Sequence, residues 1–218
     1  MTGPGPAPGT HDHRGFPMSD ALILDKSAQD LLFRDARTAN TFTDEPVTEE
    51  QVRTIYDLVK YGPTSMNNQP LRVTAVRSAE ARERLVQYMG GNNAPKTSAA
   101  PLTLILTADS SFHELFPKTF PVAPDARETF AGMPAEAREK AAFENAMLQV
   151  AYLIMGVRAA GLAAGPMTGF DMDGVRKEFF GEDSTLQPLV VMNIGKPGPD
   201  AWFDRQPRLE YDEVVTEI

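Results

Sequence analysis

Three short clusters and one distal pair hold the residue types best suited to gripping a small anionic ligand: Arg37, Thr38 and Asn40; the run Pro63 to Gln69; the run Gly165 to Gly169; and Arg205 with Arg208. Arginine suits a phosphate monoester, because its planar fork donates two charge-assisted hydrogen bonds to paired oxygens. Amide side chains such as Asn67 and Gln69 can bond a polyhydroxylated chain or the edge of a heteroaromatic ring. Backbone N–H groups near Gly165 can stabilise negative charge on a bound group. A phosphorylated aromatic cofactor would use all three kinds of contact.

Other chemistries lack their residues. The chain contains no cysteine, which excludes a disulfide framework, thiolate catalysis, cysteine-ligated iron–sulfur clusters and zinc fingers. No GxGxxG opens a helix after a strand, and no GxxxxGK[ST] loop waits for a nucleoside triphosphate. The three histidines stand at positions 11, 13 and 113 without HExxH or EF-hand spacing, so no metal is expected. No nucleophile-elbow signature anchors a hydrolytic triad, and no catalytic side chain is expected either. The formal charge of -9 gives no general attraction to nucleic acid or an anionic membrane, although a local basic pocket can still hold a phosphate.

The elements that must position these clusters follow from periodicity and punctuation. With 218 residues, 42% of them hydrophobic, one α/β domain is the first expectation. Residues 1–19 mix glycine, proline and isolated polar residues and are expected to form a disordered leader, so that residues 20–218 make the domain. The leader lacks the apolar run of a signal peptide, and no later segment reaches the roughly 18 apolar residues of a membrane span, which points to a soluble cytoplasmic protein.

A helix is expected from Ala21 to about Ala36, and a second, with Thr48 and Gln51 as a capping box, along Val52, Ile55, Tyr56 and Val59 until Gly62-Pro63 stops it. Strands are expected at Leu71 to Val76, Leu102 to Ala108 and Leu189 to Ile194, and a Ser78-capped helix runs to about Met89. Gly90 to Lys96 reads as a polar turn and Leu162 to Phe170 as a compact loop. Phe112 to Met133 shows no stable period and reads as a lid, a segment wrapped around another subunit, or a long surface connection. Ala135 to Ala160 reads as one long helix whose wide apolar stripe fits either a central core helix or a dimer contact. A short helix is expected over Val175 to Phe180. The tail from Gly195 to Ile218 reads as an edge strand or an arm exchanged with a partner.

Taken in order, Arg37-Thr38-Ala39-Asn40-Thr41-Phe42, Tyr61-Gly62-Pro63-Thr64-Ser65-Met66-Asn67-Asn68-Gln69-Pro70-Leu71 and Ala164-Gly165-Pro166-Met167-Thr168-Gly169-Phe170-Asp171 resemble three motifs of the FMN-dependent nitroreductase family. The branch they resemble holds malonic semialdehyde reductases and pyrimidine-catabolic reductases, and the likeness runs from about residue 24 to the end. It implies an α+β flavin-reductase fold: a central, mostly antiparallel sheet flanked by helices, in an intertwined homodimer with FMN at the subunit interface. It places Arg37 near the FMN phosphate with Thr38 and Asn40 beside it, and Arg205 and Arg208 completing the basic site, Arg208 favoured because it directly precedes Leu-Glu-Tyr-Asp. Pro63, Thr64, Ser65, Asn67 and Gln69 would approach the ribityl chain or ring, and Gly165, Pro166 and Met167 would line its other side. Family sites often add a basic side chain near the flavin pyrimidine edge, for which the sequence offers no single position.

The implied reaction is a ping-pong hydride transfer from NADH or NADPH through FMN to a small-molecule acceptor. The branch suggests malonic semialdehyde, reduced to 3-hydroxypropionate, or a related small carbonyl. Nitroaromatics or quinones are the alternative acceptors, and a noncatalytic FMN-binding sensory homodimer is the alternative of a different class. Neither nucleic acid nor membrane is expected as a partner.

Overall fold

The computed structural model describes residues 22–218, so the expected leader, with His11 and His13, lies outside the described residues. Four strands form one sheet: β1 (Leu71–Val76), β2 (Leu102–Asp109), β3 (Ala163–Met167) and β4 (Leu186–Gly195). Their spatial order is β1-β2-β4-β3 and every neighbouring pair is antiparallel, which makes the fold α+β and corrects the α/β expectation drawn from size and composition alone. β2 and β4 are central and covered on both faces, and so read as nearly unbroken apolar runs.

Helices pack on both faces. Leu104, Leu106, Met192 and Ile194 face a core shared with α2 (Glu49–Val59) and the long α7 (Ala135–Ala159). Ile105 and Val191, pointing the other way, pack with Val76, Leu85 and Val175 from the opposite layer, where α3 (Ala79–Val86) and α8 (Met172–Phe180) lie. The Thr48–Gln51 capping box opens α2 as its spacing predicts. α2 crosses α7 closely: a Cβ on Gly156 would stand 2.3 Å from Val59 Cγ1.

Besides β3, four segments differ from expectation. The first helix is only α1 (Lys26–Gln29) continued by a π-helical turn, Asp30–Arg34. The turn expected at Gly90 to Lys96 gives way to α4 (Asn93–Ala99), whose Pro95 sits in the first turn, where no N–H is needed. The stretch Phe112 to Met133 folds into a 3-10 turn, Phe112–Leu115, followed by α5 (Phe116–Thr119) and α6 (Ala126–Ala131). Its aromatic rings anchor it to the core: Phe112 and Phe116 are fully buried, and Phe116 meets Phe130 edge-on at 5.2 Å between centroids. In the tail, α9 (Tyr211–Val214) stands where an edge strand was one expectation.

Candidate functional site

β3 is the structure's answer to the run expected as a loop, Leu162 to Phe170. Ala163-Ala164-Gly165-Pro166-Met167 has little intrinsic strand preference, and its pairing with Val191 through Gly195 of β4 imposes the extended form. Pro166 is tolerable because β3 has a ladder partner on one side only.

Along the outer side of β3 runs the first motif. The Ala39 N–H donates to Ala164 O at 3.1 Å, the Asn40 N–H to Ala201 O at 2.9 Å and the Gly198 N–H to Thr41 O at 3.1 Å. Contact is tight enough that a Cβ on Gly165 would meet Ala39 O at 2.7 Å, so glycine is required there for close approach and not for an unusual backbone angle. These bonds bring the Arg37 cluster, the Gly165 run and the distal tail together from three separate stretches of sequence.

Two adjoining cavities result. One, of about 240 Å³, is lined by Arg37, Thr38, Asn40, Asp204, Arg205 and Arg208. The other, of about 270 Å³, is lined by Asn40, Lys96, Gly165, Pro166, Met167 and Asn193 among others. Thr38 and Asn40 belong to both walls, which joins a basic chamber to one floored by β3. Arg37 Nη1 donates to Phe203 O at 3.4 Å, Arg205 Nη2 to Ala36 O at 3.1 Å and to Arg34 O, and Arg208 Nη1 to Gln206 O at 2.9 Å. Backbone carbonyls orient these three guanidinium groups, and among the described residues none of the three pairs with a carboxylate. Their charge extends inward to Arg158, whose pKa is lowered first by burial and then by the positive Arg205. An acidic chain thus carries one local cationic chamber.

Lys96 is a functional candidate that the sequence reading missed. Its ammonium donates to Asn40 Oδ1 at 2.7 Å, at the junction of the two chambers. It directly follows Gly90-Gly91-Asn92-Asn93-Ala94-Pro95, which looks like a turn; proline in the first turn of a helix was the available signal. Asn93, Thr97 and Asn193 were missed with it.

The Pro63 to Gln69 run lies elsewhere in the chain. It enters β1, the sheet edge opposite β3, so two strands separate it from Gly165, about 14 Å at ordinary strand spacing. The Ser65 N–H donates to Asn145 Oδ1 at 2.7 Å and the Leu71 N–H to Gln149 Oε1 at 3.0 Å, both acceptors standing on α7. Between those anchors Met66, Asn67 and Gln69 all hold positive φ, 51°, 52° and 42°, in the left-handed region that non-glycine residues avoid. Such concentrated strain is kept where the chain must present particular groups. Asn67 Nδ2 donates to Thr119 O at 2.7 Å and Gln69 Nε2 to Asn67 Oδ1 at 2.9 Å, while Pro63, Ser65 and Asn67 face solvent. Within one chain, therefore, Arg37, Thr38, Asn40, Gly165, Pro166, Met167, Arg205 and Arg208 converge, whereas Pro63, Thr64, Ser65, Asn67 and Gln69 form a separate surface.

A sequence profile described as the nitroreductase family matches residues 34–196, well over half of the chain, including the Arg37 and Gly165 clusters but not the distal arginines. This chain belongs to the nitroreductase family. Among curated nitroreductase relatives, a provisionally named NADH dehydrogenase/NAD(P)H nitroreductase of Streptomyces coelicolor is 65% identical over 198 residues, covering 91% of this chain and 100% of that protein. One of the same provisional name from Streptomyces griseus is 63% identical with the same coverage.

Solved structures of nitroreductases share the fold at much lower identity. A provisionally assigned nitroreductase in complex with FMN from Exiguobacterium sibiricum superposes with a TM-score of 0.78 at 18% identity, covering 87% of this chain and 96% of that one. An enone reductase of gut-bacterial fatty acid saturation metabolism also gives a TM-score of 0.78, at 13% identity, over 90% and 100% of the two chains.

Among the described residues no group of three or more His, Asp or Glu could hold a metal ion, and no helix is long and apolar enough to cross a membrane.

Proposed function

We propose that this nitroreductase is an FMN-dependent NAD(P)H oxidoreductase that acts as a homodimer and reduces malonic semialdehyde to 3-hydroxypropionate. The observation that carries the reading is the cationic chamber of Arg37, Arg205 and Arg208 opening, past Thr38 and Asn40, into the chamber walled by Lys96 and Gly165. Guanidinium groups without carboxylate partners among the described residues fit a phosphate, and the cavity of about 270 Å³ over Gly165, Pro166 and Met167 offers space for a ring edge against β3. Bound FMN would supply the redox chemistry, taking a hydride from NAD(P)H and returning it to the aldehyde carbon while a proton reaches the aldehyde oxygen. The chain's own residues bind and orient: the arginines hold the phosphate, Asn40 and Lys96 offer polar contacts to the ring edge, and Gly165, Pro166 and Met167 form its floor.

The homodimer accounts for the run that stands apart. A two-fold partner would bring its own Pro63, Thr64, Ser65, Asn67 and Gln69 to the open side of the chamber. Support comes from the apolar side chains exposed beside that run: Tyr56 and Leu58 on α2, Tyr61, and Phe143, Leu148 and Tyr152 on α7. Phe143 and Leu148, 53% and 51% exposed, lie on the helix whose apolar stripe is wider than the intrachain core uses.

The acceptor rests on the three branch motifs. A second reading, a nitroaromatic acceptor, draws on the NAD(P)H nitroreductase naming of relatives above 60% identity. One experiment tests both: anaerobic reduction of the FMN-reconstituted protein by NADH and by NADPH, followed by reoxidation with malonic semialdehyde or a nitroaromatic. Rapid bleaching and recovery with the aldehyde is expected. Bleaching with recovery only on the nitro compound would transfer the assignment to the second reading, and a bound flavin that neither nucleotide reduces would leave a noncatalytic FMN-binding protein.

A further inference from the structure

Three polar side chains lie buried behind the wall of the β3 chamber. Thr97 and Thr103 are 0% exposed and Asn193 is 1% exposed. Thr103 on β2 and Asn193 on β4 are direct cross-strand partners, and Asn193 also pairs with Gly165 on β3. The Thr103 hydroxyl donates to Asn193 Oδ1 at 2.8 Å, and Asn193 Nδ2 donates to Thr97 Oγ1 at 3.4 Å.

Packing alone does not explain the row. Two residues along the same face, β2 and β4 carry Ile105 and Val191, both wholly buried and apolar. Valine in place of either threonine would fill the same volume without hydrogen-bonding demands, whereas a buried amide is costly unless bonded. What the polar row adds is direction. α4 has seven residues and no side-chain bond at its N-cap, too little to hold its own orientation. Besides the Asn193–Thr97 bond, its ties to the site are Asn93 Nδ2 donating to Gly169 O at 3.0 Å and Lys96 itself. Thr97 directly follows Lys96, so the depth and rotation of α4 fix where the ammonium stands.

We propose that Asn193 is a positioning residue of the site: through Thr97 it locks α4 so that Lys96 stays fixed beside Asn40 and Gly165, where its charge favours reduced over oxidised flavin. The inference rests on the FMN reading above. Reduction leaves the flavin more negative, so a cation held at its edge binds the reduced form more tightly, and a cation free to swing away loses that preference.

The test uses the full-length protein reconstituted with FMN, comparing wild type, Thr97→Val, Thr97→Ser and Thr103→Val. FMN affinity is read by fluorescence quenching, the midpoint potential by spectroelectrochemical titration, and the stability of the cofactor-free protein by thermal unfolding. Thr97→Val should weaken binding of reduced FMN roughly three- to tenfold more than that of oxidised FMN, seen as a more negative midpoint. Thr97→Ser, which keeps the hydroxyl, should match wild type. Thr103→Val should shift the midpoint the same way, and it carries the test if Thr97→Val fails to fold. In a Lys96→Met background Thr97→Val should add nothing.

An unchanged midpoint in both valine variants, equal weakening of both redox forms, or a Thr97→Val shift that persists without Lys96 would overturn the proposal and leave the row a packing feature. Those results differ from failure of the FMN reading itself, in which wild type would bind no FMN and the proposal would fall with it.

Discussion

Replacing Gly165 with alanine tests whether the wall between the first motif and β3 is the structural basis of the site. The added Cβ would lie 2.7 Å from Ala39 O, whereas ordinary contact begins at 3.4 Å, so the segment carrying Ala39 must retreat by about 0.7 Å. The Ala39 N–H···Ala164 O bond, now 3.1 Å, would stretch to about 3.8 Å, beyond hydrogen-bond reach. One backbone bond lost costs about 1 kcal/mol, and overpacking against a backbone oxygen adds about 1–3 kcal/mol. A destabilisation of about 2–4 kcal/mol is therefore expected in urea unfolding of the cofactor-free protein. FMN affinity should fall as well, because the retreat carries Arg37, Thr38 and Asn40 away from Lys96. Gly132→Ala is the control: its nearest neighbours would stand at 3.5 Å and 3.6 Å, so it should be neutral or slightly stabilising. If Gly165→Ala left both stability and FMN affinity within error of wild type while the control behaved as stated, the wall would not be the close contact argued here.

Further predictions follow from the same geometry. Arg37→Ala should weaken FMN binding about ten- to 150-fold at low salt and by less at high salt, measured by fluorescence titration, while Arg53→Ala, on an exposed pair with Glu49, should leave it unchanged. Leu148→Glu, on the exposed face of α7, should convert a dimer to a folded monomer that no longer retains FMN, read by light scattering and circular dichroism; retention by a monomer would remove the shared-site argument. Bonds to Ala28, Lys26, Lys60 and Arg127 respectively hold the carboxyls of Asp25, Asp30, Asp57 and Glu114 below their ordinary values of 3.8 for Asp and 4.5 for Glu. The folded chain then binds fewer protons than the unfolded one, so this stability is present above those values and is lost as pH falls through and below them. Stability measured by urea unfolding should decline below about pH 4.5, and a rise on acidification would contradict the assignment.

Legibility in the sequence tracked how local the cause was. β1, β2, β4, α2 and α7 are written in hydrophobic period, caps and stop signals, and the structure places them within a few residues of expectation. β3 was not legible, because nothing in Ala-Ala-Gly-Pro-Met favours a strand; β4 imposes that conformation from about 28 residues downstream at Gly165. α4 was concealed by Gly-Gly-Asn-Asn-Ala-Pro, and Lys96 with it. The aromatic segment after β2 shows no period because its short helices are held by ring packing and not by a continuous face.

The two halves of the site differ in the same way. Arginine and glycine clusters announced the chamber, since their chemistry is intrinsic to the residue types. Their convergence depends on backbone bonds from Ala39, Asn40 and Gly198 to partners far away in sequence, which no motif records. The Pro63 to Gln69 run shows the limit most plainly. Its amides have the right chemistry, and three left-handed residues hold them in one strained presentation, yet the sheet keeps them an edge away from the arginines of their own chain. Strain kept at a surface separate from the arginines of its own chain is what the proposed homodimer would use, a second copy bringing this run to the open side of the chamber.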